Sequence, residues 1–182
     1  MTNITKVVAL MKQGSLVIYY CGDRQVASES YDRNGLPIYR SGSIPDGVVR
    51  QYYGNGTVKE ETTFRDGKAH GKSIEYYPRG EAFEESTYKS GMRHGPTKIY
   101  LREGLPWIEA SYKNGKLHGI FLSYHDNGRI EARVRYRNGK PDGCYVAYDR
   151  HGNFMGKGSS GPEEDNHKPH HEAVRVETKT CQ

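Results

Sequence analysis

From Gly47 to Gly152 the chain repeats itself every 24 residues, and this regularity constrains its fold more than any other feature. Glycines fall at Gly47, Gly71, Gly95, Gly119 and Gly143, and tyrosines at Tyr52, Tyr76, Tyr100, Tyr124 and Tyr148. A second glycine set stands at Gly56, Gly80, Gly104, Gly128 and Gly152, and a third at Gly67, Gly91, Gly115 and Gly139. An aromatic series, Phe64, Tyr88, Tyr112 and Tyr136, keeps the same pitch. Registers that hold in parallel without slip define a tandem repeat, in which each copy buries its surface against its neighbours. Only 34% of the 182 residues are hydrophobic, while 22 are glycine and 15 are tyrosine, so the core is expected to be a thin stripe.

Each copy reads as two strands. In the third copy Gly95 to Leu101 is one strand, Arg102-Glu103-Gly104 a turn and Leu105 to Lys113 a second strand, followed by the turn Asn114-Gly115. Asn-Gly between two strand-like runs signals a tight hairpin, because both central residues take positive φ. Asp66-Gly67, Ser90-Gly91 and Asn138-Gly139 hold the same place. Alternation by two assigns Val58, Glu60, Thr62 and Phe64 to one face, with Ala82, Glu84, Ser86 and Tyr88, then Pro106, Ile108, Ala110 and Tyr112, then Ile130, Ala132, Val134 and Tyr136, in later copies. The first strands are expected to add Ile74 and Tyr76, Ile120, Leu122 and Tyr124, and Val146 and Tyr148 to that face. Equivalent residues then lie about 9.6 Å apart, twice the strand spacing. Tyr88 would fall between Tyr76 and Tyr100, and the pattern predicts a continuous aromatic ladder worth roughly 0.2–1 kcal/mol per pair.

The ends depart from this rule. Tyr31-Asp32-Arg33-Asn34-Gly35 matches Tyr148-Asp149-Arg150-His151-Gly152 but stands 21 residues before the next copy, as a degenerate first repeat. Residues 1–30 form an N-terminal cap with a strand at 16–21, while Val7 to Met11 fits either a short helix or an edge strand. The repeat array spans 31–156. Residues 157–182 are polar and without periodicity, a tail expected to be flexible unless a partner orders it. That tail holds four Lys or Arg against five Asp or Glu, a charge of −1, so that of the overall +5 about +6 lies on the rest.

Tyr88-Lys89-Ser90-Gly91-Met92-Arg93-His94-Gly95 and Tyr112-Lys113-Asn114-Gly115-Lys116-Leu117-His118-Gly119 resemble the MORN repeat, the membrane occupation and recognition nexus. With its added Tyr-x-x-x-Gly the unit is similar to the MORN variant type of bacterial proteins, some labelled antitoxins, and of large DNA viruses. The resemblance covers about residues 31–156, with Asp46 and Asp142 standing where histidine is expected. It implies an all-β fold: an elongated, twisted antiparallel meander of tandem hairpins in a single sheet. It also implies a non-catalytic scaffold or structural protein that binds other proteins, including as a component of a larger assembly such as a virion. The other roles it brings are an antitoxin that neutralises a co-encoded toxin and a binder of anionic lipid at a membrane surface.

The residues themselves carry little reaction chemistry. His70, His94 and His118 recur, but copies nearly 10 Å apart cannot converge within ~2.0–2.1 Å of one zinc ion, so a turn-supporting role is expected. Glu163, Glu164, Asp165, His167, His170, His171 and Glu172 are ligand types without a fixed scaffold. Glu60-Glu61 and Glu84-Glu85 point to opposite faces and cannot share a proton. No GxSxG, P-loop or GxGxxG is present, so neither an enzyme nor a cofactor, metal or small-molecule site is expected. No cluster of Arg and Lys alternates with exposed aromatics, which disfavours nucleic acid. Cys21, Cys144 and Cys181 form no CxxC, and Cys144 stands in a packing position. With no apolar run near ~20 residues and no signal segment, a reducing, cytoplasmic setting is expected. The lone Trp107 is the candidate partner contact, its competing role being to pack against the N-terminal segment.

Overall fold

The computed structural model describes residues 4–160. They form sixteen strands and no helix, all assigned to one open, mixed sheet. The chain divides into two compact units, residues 1–93 and 94–182.

The first unit contains β1 (Ile4–Met11), β2 (Gly14–Cys21), β3 (Arg24–Asp32), β4 (Pro37–Gly42), β5 (Gly47–Tyr52), β6 (Val58–Arg65), β7 (Lys68–Tyr76) and β8 (Ala82–Lys89). Their spatial order is β8-β7-β6-β5-β1-β2-β3-β4. The segment left open between helix and strand is therefore β1. It also breaks the expected all-antiparallel pattern, pairing in parallel with β5 through Ile4 opposite Val49 and Thr5 opposite Arg50. The cause is residues 43–46, which carry the chain from the outermost strand β4 back to β5 and bury Ile44 on the way. Ile44 joins Ile4, Val17, Tyr19, Ala27 and Val49 in the core of this unit, with Val26, Tyr31 and Phe64 packed against it. Tyr19 meets Phe64 edge to face with centroids 6.4 Å apart.

The second unit holds most of β9 (Met92–Tyr100), then β10 (Pro106–Lys113), β11 (Lys116–Leu117), β12 (Gly119–Tyr124), β13 (Ile130–Arg137), β14 (Lys140–Pro141), β15 (Gly143–Tyr148) and β16 (Phe154–Ser160). It is a plain antiparallel succession, β9-β10-β12-β13-β15-β16, with β11 on β10 and β14 on β13. Strand β16 runs four residues beyond the array boundary expected at 156. The remaining expectations for the tail fall on residues 161–182, outside the described residues.

Cross-strand pairing explains the spaced series. Gly47, Gly71, Gly95 and Gly119 lie opposite Phe64, Tyr88, Tyr112 and Tyr136. These four glycines take φ of 137°, 100°, 102° and 108°, a backbone conformation that side-chain-bearing residues rarely adopt. Tyr52, Tyr76, Tyr100, Tyr124 and Tyr148 lie opposite Val58, Ala82, Pro106, Ile130 and Phe154. The X-Gly turns take the conformation expected of them, with φ of 52°, 50°, 51° and 54° at Asp66, Ser90, Asn114 and Asn138.

The expected aromatic ladder is not formed. One residue bulges from each second strand just after its start: Lys59, Phe83, Trp107, Glu131 and Met155 have no cross-strand partner. A bulge advances the alternation by one. Val58 consequently shares a face with Tyr52, whereas Glu60, Thr62 and Phe64 share the other with Val49. Ile74 faces Glu61 rather than Glu60, and Tyr88 lies on the opposite face from Tyr76. The two aromatic series thus occupy opposite faces and opposite ends of the strands.

Candidate functional site

The turn that closes each Tyr-x-x-x-Gly phrase begins with the residue after the tyrosine. Tyr53 N–H donates to the Thr57 carbonyl at 2.8 Å and Gly56 N–H to the Tyr53 carbonyl at 3.0 Å, and the same two bonds recur in the later copies. Gly56 has φ of 86°, the left-handed position that makes such a three-residue loop glycine-dependent. In the two matching phrases the aspartate supplies a side-chain cap. Asp32 Oδ1 accepts from Asn34 and Leu36 N–H, and Asp149 Oδ1 from His151 and Asn153 N–H, all at 2.8 Å.

Neighbouring turns are stitched together. In the first unit Tyr53 Oη donates to the Tyr76 carbonyl at 2.6 Å and Asn55 Nδ2 to the Pro78 carbonyl at 3.2 Å. In the second unit His125 Nε2 donates to the Tyr148 carbonyl at 2.9 Å and Asn127 Nδ2 to the Arg150 carbonyl at 2.7 Å. The bulged residues sit beside these turns: Lys59 lies 5.9 Å over the Tyr53 ring, and Phe83 meets Tyr77 at 5.2 Å. Trp107 occupies the same place and is 38% exposed. Ile99, on the neighbouring strand, faces Ile108.

At the other end of the strands the residues of the His series reach the X-Gly turns. Asp46 Oδ1 accepts from Asp66 N–H at 2.8 Å, and His94 Nδ1 lies 3.3 Å from Asn114 Oδ1. Gly91 and Gly139 N–H donate to the Ala69 and Leu117 carbonyls at 2.8 Å. Among the described residues no three His, Cys, Asp or Glu side chains converge as a metal site. Cys144, expected to pack, is exposed, because its face of β15 points away from the ring of Tyr136.

Charge is arranged in rows. On the Tyr52 face Arg50 Nε donates to Glu61 Oε1 at 2.6 Å and Tyr76 Oη to Glu61 Oε2 at 3.2 Å. On the Phe64 face Glu60, Glu75 and Glu84 stand directly opposite one another on β6, β7 and β8. Lys6 Nζ meets Glu60 at 2.5 Å and Arg93 meets Glu84 at 2.6 Å, but Glu75 has the two carboxylates as neighbours. Burial first, then Glu60 and Glu84, push the Glu75 pKa up. Burial of Glu60 works in the same direction, yet Lys6 and Thr62 together hold its carboxyl below the usual range.

Among the described residues the buried charged group is Glu29, which sequence reasoning did not single out because its strand lies outside the regular copies. Its Oε2 accepts from Tyr31 Oη at 2.8 Å and Tyr19 Oη at 3.1 Å, while Oε1 contacts the Arg40 guanidinium. Burial, then the Glu29 charge, drives the Tyr19 hydroxyl pKa strongly upward. A cavity of about 150 Å³ opens beside it, lined among others by Ala27, Arg40, Ile44, Asp66 and Lys68. These side chains lock the β3–β4 edge to the core and bring no nucleophile and base together.

The sequence model of the MORN repeat variant family matches residues 45–66 and 117–140. One match covers the β5–β6 hairpin of the first unit, the other β11 to β13 of the second. No curated protein matches the chain. MORN repeats are of a non-catalytic type and bind proteins or membranes. Paired glycine and aromatic series, X-Gly turns at positive φ and a family match in each unit agree: the chain carries repeats of the MORN variant type.

Proposed function

We propose that this chain is a non-catalytic scaffold that binds other proteins through its repeat sheet and its open strand edges, within a larger assembly such as a virion. The observation that carries this reading is where the most exposed apolar side chains lie. Leu36, Ile38 and Tyr39 at β4, Phe154 and Met155 at β16, and Leu10 at the tip of the β1–β2 hairpin are each between 60% and 88% exposed. β4 ends the strand order of the first unit and pairs only with β3, so its outer N–H and C=O groups are free to receive another strand. Trp107, beside the turns of the second unit, is the proposed aromatic anchor.

Pull-down by the immobilised full-length chain from its source cells tests this. Replacement of Ile38 and Tyr39 by glutamate is expected to remove specific co-purifying proteins while the fold, followed by circular dichroism, persists. Unchanged capture by both that variant and Trp107→Ala would sink the proposal.

A further inference from the structure

The copies of the repeat serve as controls for one another. On the face of the Tyr52 series, the second strands of three copies present Glu61, Thr63 and Arg65 on β6, Glu85, Thr87 and Lys89 on β8, and Glu109, Ser111 and Lys113 on β10. Each glutamate is neutralised by a cation on a neighbouring strand: Arg50 at 2.6 Å, Lys72 at 3.1 Å and Lys98 at 2.8 Å. The next copy breaks the pattern. β13 presents Arg133, Arg135 and Arg137 at these positions, all three exposed. The residue opposite Arg133 on β12 is Leu122, and on β15 it is Val146.

An arginine has thus replaced the glutamate, a second has replaced the small hydroxyl residue, and leucine stands where Arg50 and Lys98 face the glutamate in two of the other copies, the third having Ile74 there. Asp142 lies 3.6 Å from Arg135 Nε and 3.0 Å from Arg137 Nε, and Lys157, opposite Val146, adds a further positive charge. The three arginines, Lys157 and Asp142 sum to +3. Like charges at alternate residues stand ~6.8 Å apart and repel, so the substitutions work against the fold. Asp142 offsets one of these charges and leaves the row in net positive excess, and positions that break a local rule with incomplete compensation point to function.

We propose that the Arg133–Arg135–Arg137 face of β13 docks an extended, acidic protein segment with carboxylates at alternate residues. This rests on the protein-binding reading above and names the chemistry of one partner. The ~6.8 Å spacing matches successive same-side residues of an extended chain, and each guanidinium offers a carboxylate two parallel donors. Leu122, Val146 and Ile120 flank the guanidiniums, lowering the local dielectric and strengthening the contact. A single-stranded nucleic acid needs open rings on which bases stack. The tyrosines of this face, Tyr124 and Tyr148, are half-buried, and the Tyr124 hydroxyl is hydrogen-bonded to Glu109.

The test uses the full-length chain and a fluorescent Ser-Glu repeat peptide, with binding read by anisotropy at low and physiological salt. The control variant combines Leu122→Lys, Arg133→Glu and Arg135→Thr, residues that other copies carry at these positions, so the hairpin is retained. The expected result is saturable binding, weakened by salt and by at least about tenfold in the variant, with an unchanged circular dichroism spectrum. Equal binding by the variant, equal binding of a Ser-Lys peptide, or no binding at low salt overturns the inference. So does binding of an oligothymidylate or of phosphatidylserine vesicles in place of the peptide. Failure here with edge-dependent capture intact overturns this site alone, whereas loss of capture dependence on Ile38 and Tyr39 with peptide binding intact overturns only the edge.

Discussion

At the scale of single residues the row Glu60–Glu75–Glu84 shows charge working against the fold. Its ends are neutralised by Lys6 and Arg93, while Glu75, between them, has its pKa raised by burial and then by the two flanking carboxylates. A carboxyl with a raised folded pKa contributes stability that is complete below its unfolded value of about 4.3 and is lost as pH rises through the folded value. Glu75→Gln is therefore expected to stabilise the first unit at neutral pH, by about 0.2–1 kcal/mol per relieved like-charge pair, with the gain vanishing near pH 4. Denaturant midpoints at the two pH values check this, and an equal gain at both would exclude a charge origin. Ser90 offers a conformational counterpart: its φ is 50°, where the equivalent residues are Asp66, Asn114 and Asn138. Ser90→Asn should be neutral to stabilising and Ser90→Val should cost about 1–2 kcal/mol, because a β-branched side chain clashes in the left-handed region. Thermal denaturation of the two variants separates this from a loss of serine contacts, which would affect both alike.

At the scale of the hairpin, most of the design is legible in the sequence, and the part that is not has one cause. Gly67, Gly91, Gly115 and Gly139 behind Asp, Ser or Asn disclose the tight turns, because few other residues tolerate positive φ at both central positions. The bulge leaves no such mark. Its residues, Lys59, Phe83, Trp107, Glu131 and Met155, share no property, since a bulge is set by the register that the turns impose. Counting by two across it swaps every face assignment before Glu60 or its equivalents. The parallel pairing of β1 with β5 is equally silent, being decided by the path of residues 43–46. The candidate Trp107 was legible only as an exposed aromatic, and the Arg133 row only once faces were known. Turn stitching supplies the element-scale prediction. Asn127 donates to the Arg150 carbonyl and accepts from Arg129 N–H, so Asn127→Ala removes two bonds at an exposed edge. A loss of about 1–2 kcal/mol is expected, whereas His151→Ala, at the equivalent turn position of the next copy, should change stability little. Equal losses from both would show that the stitch contributes nothing.

At the scale of the molecule the buried apolar residues are unevenly shared. Ile4, Val17, Tyr19, Ala27, Ile44 and Val49 are buried in the first unit, while among the described residues of the second only Ala110 is. A repeat sheet without a packed interior draws its stability from neighbour-to-neighbour terms, so its segments open separately rather than together. Native-state hydrogen exchange should accordingly show the greatest protection in β1, β2, β3 and β5 and the earliest exchange in β13, β15 and β16. Ile4 is fully buried, and Ile4→Ala should cost the first unit about 2–5 kcal/mol through the cavity it leaves. The informative quantity is the distribution of that loss: protection should fall in β1 to β6 and stay constant in β12 to β16. A uniform fall across all strands would mean that the chain unfolds as one cooperative body, and the additive, copy-by-copy account of its stability would have to be abandoned.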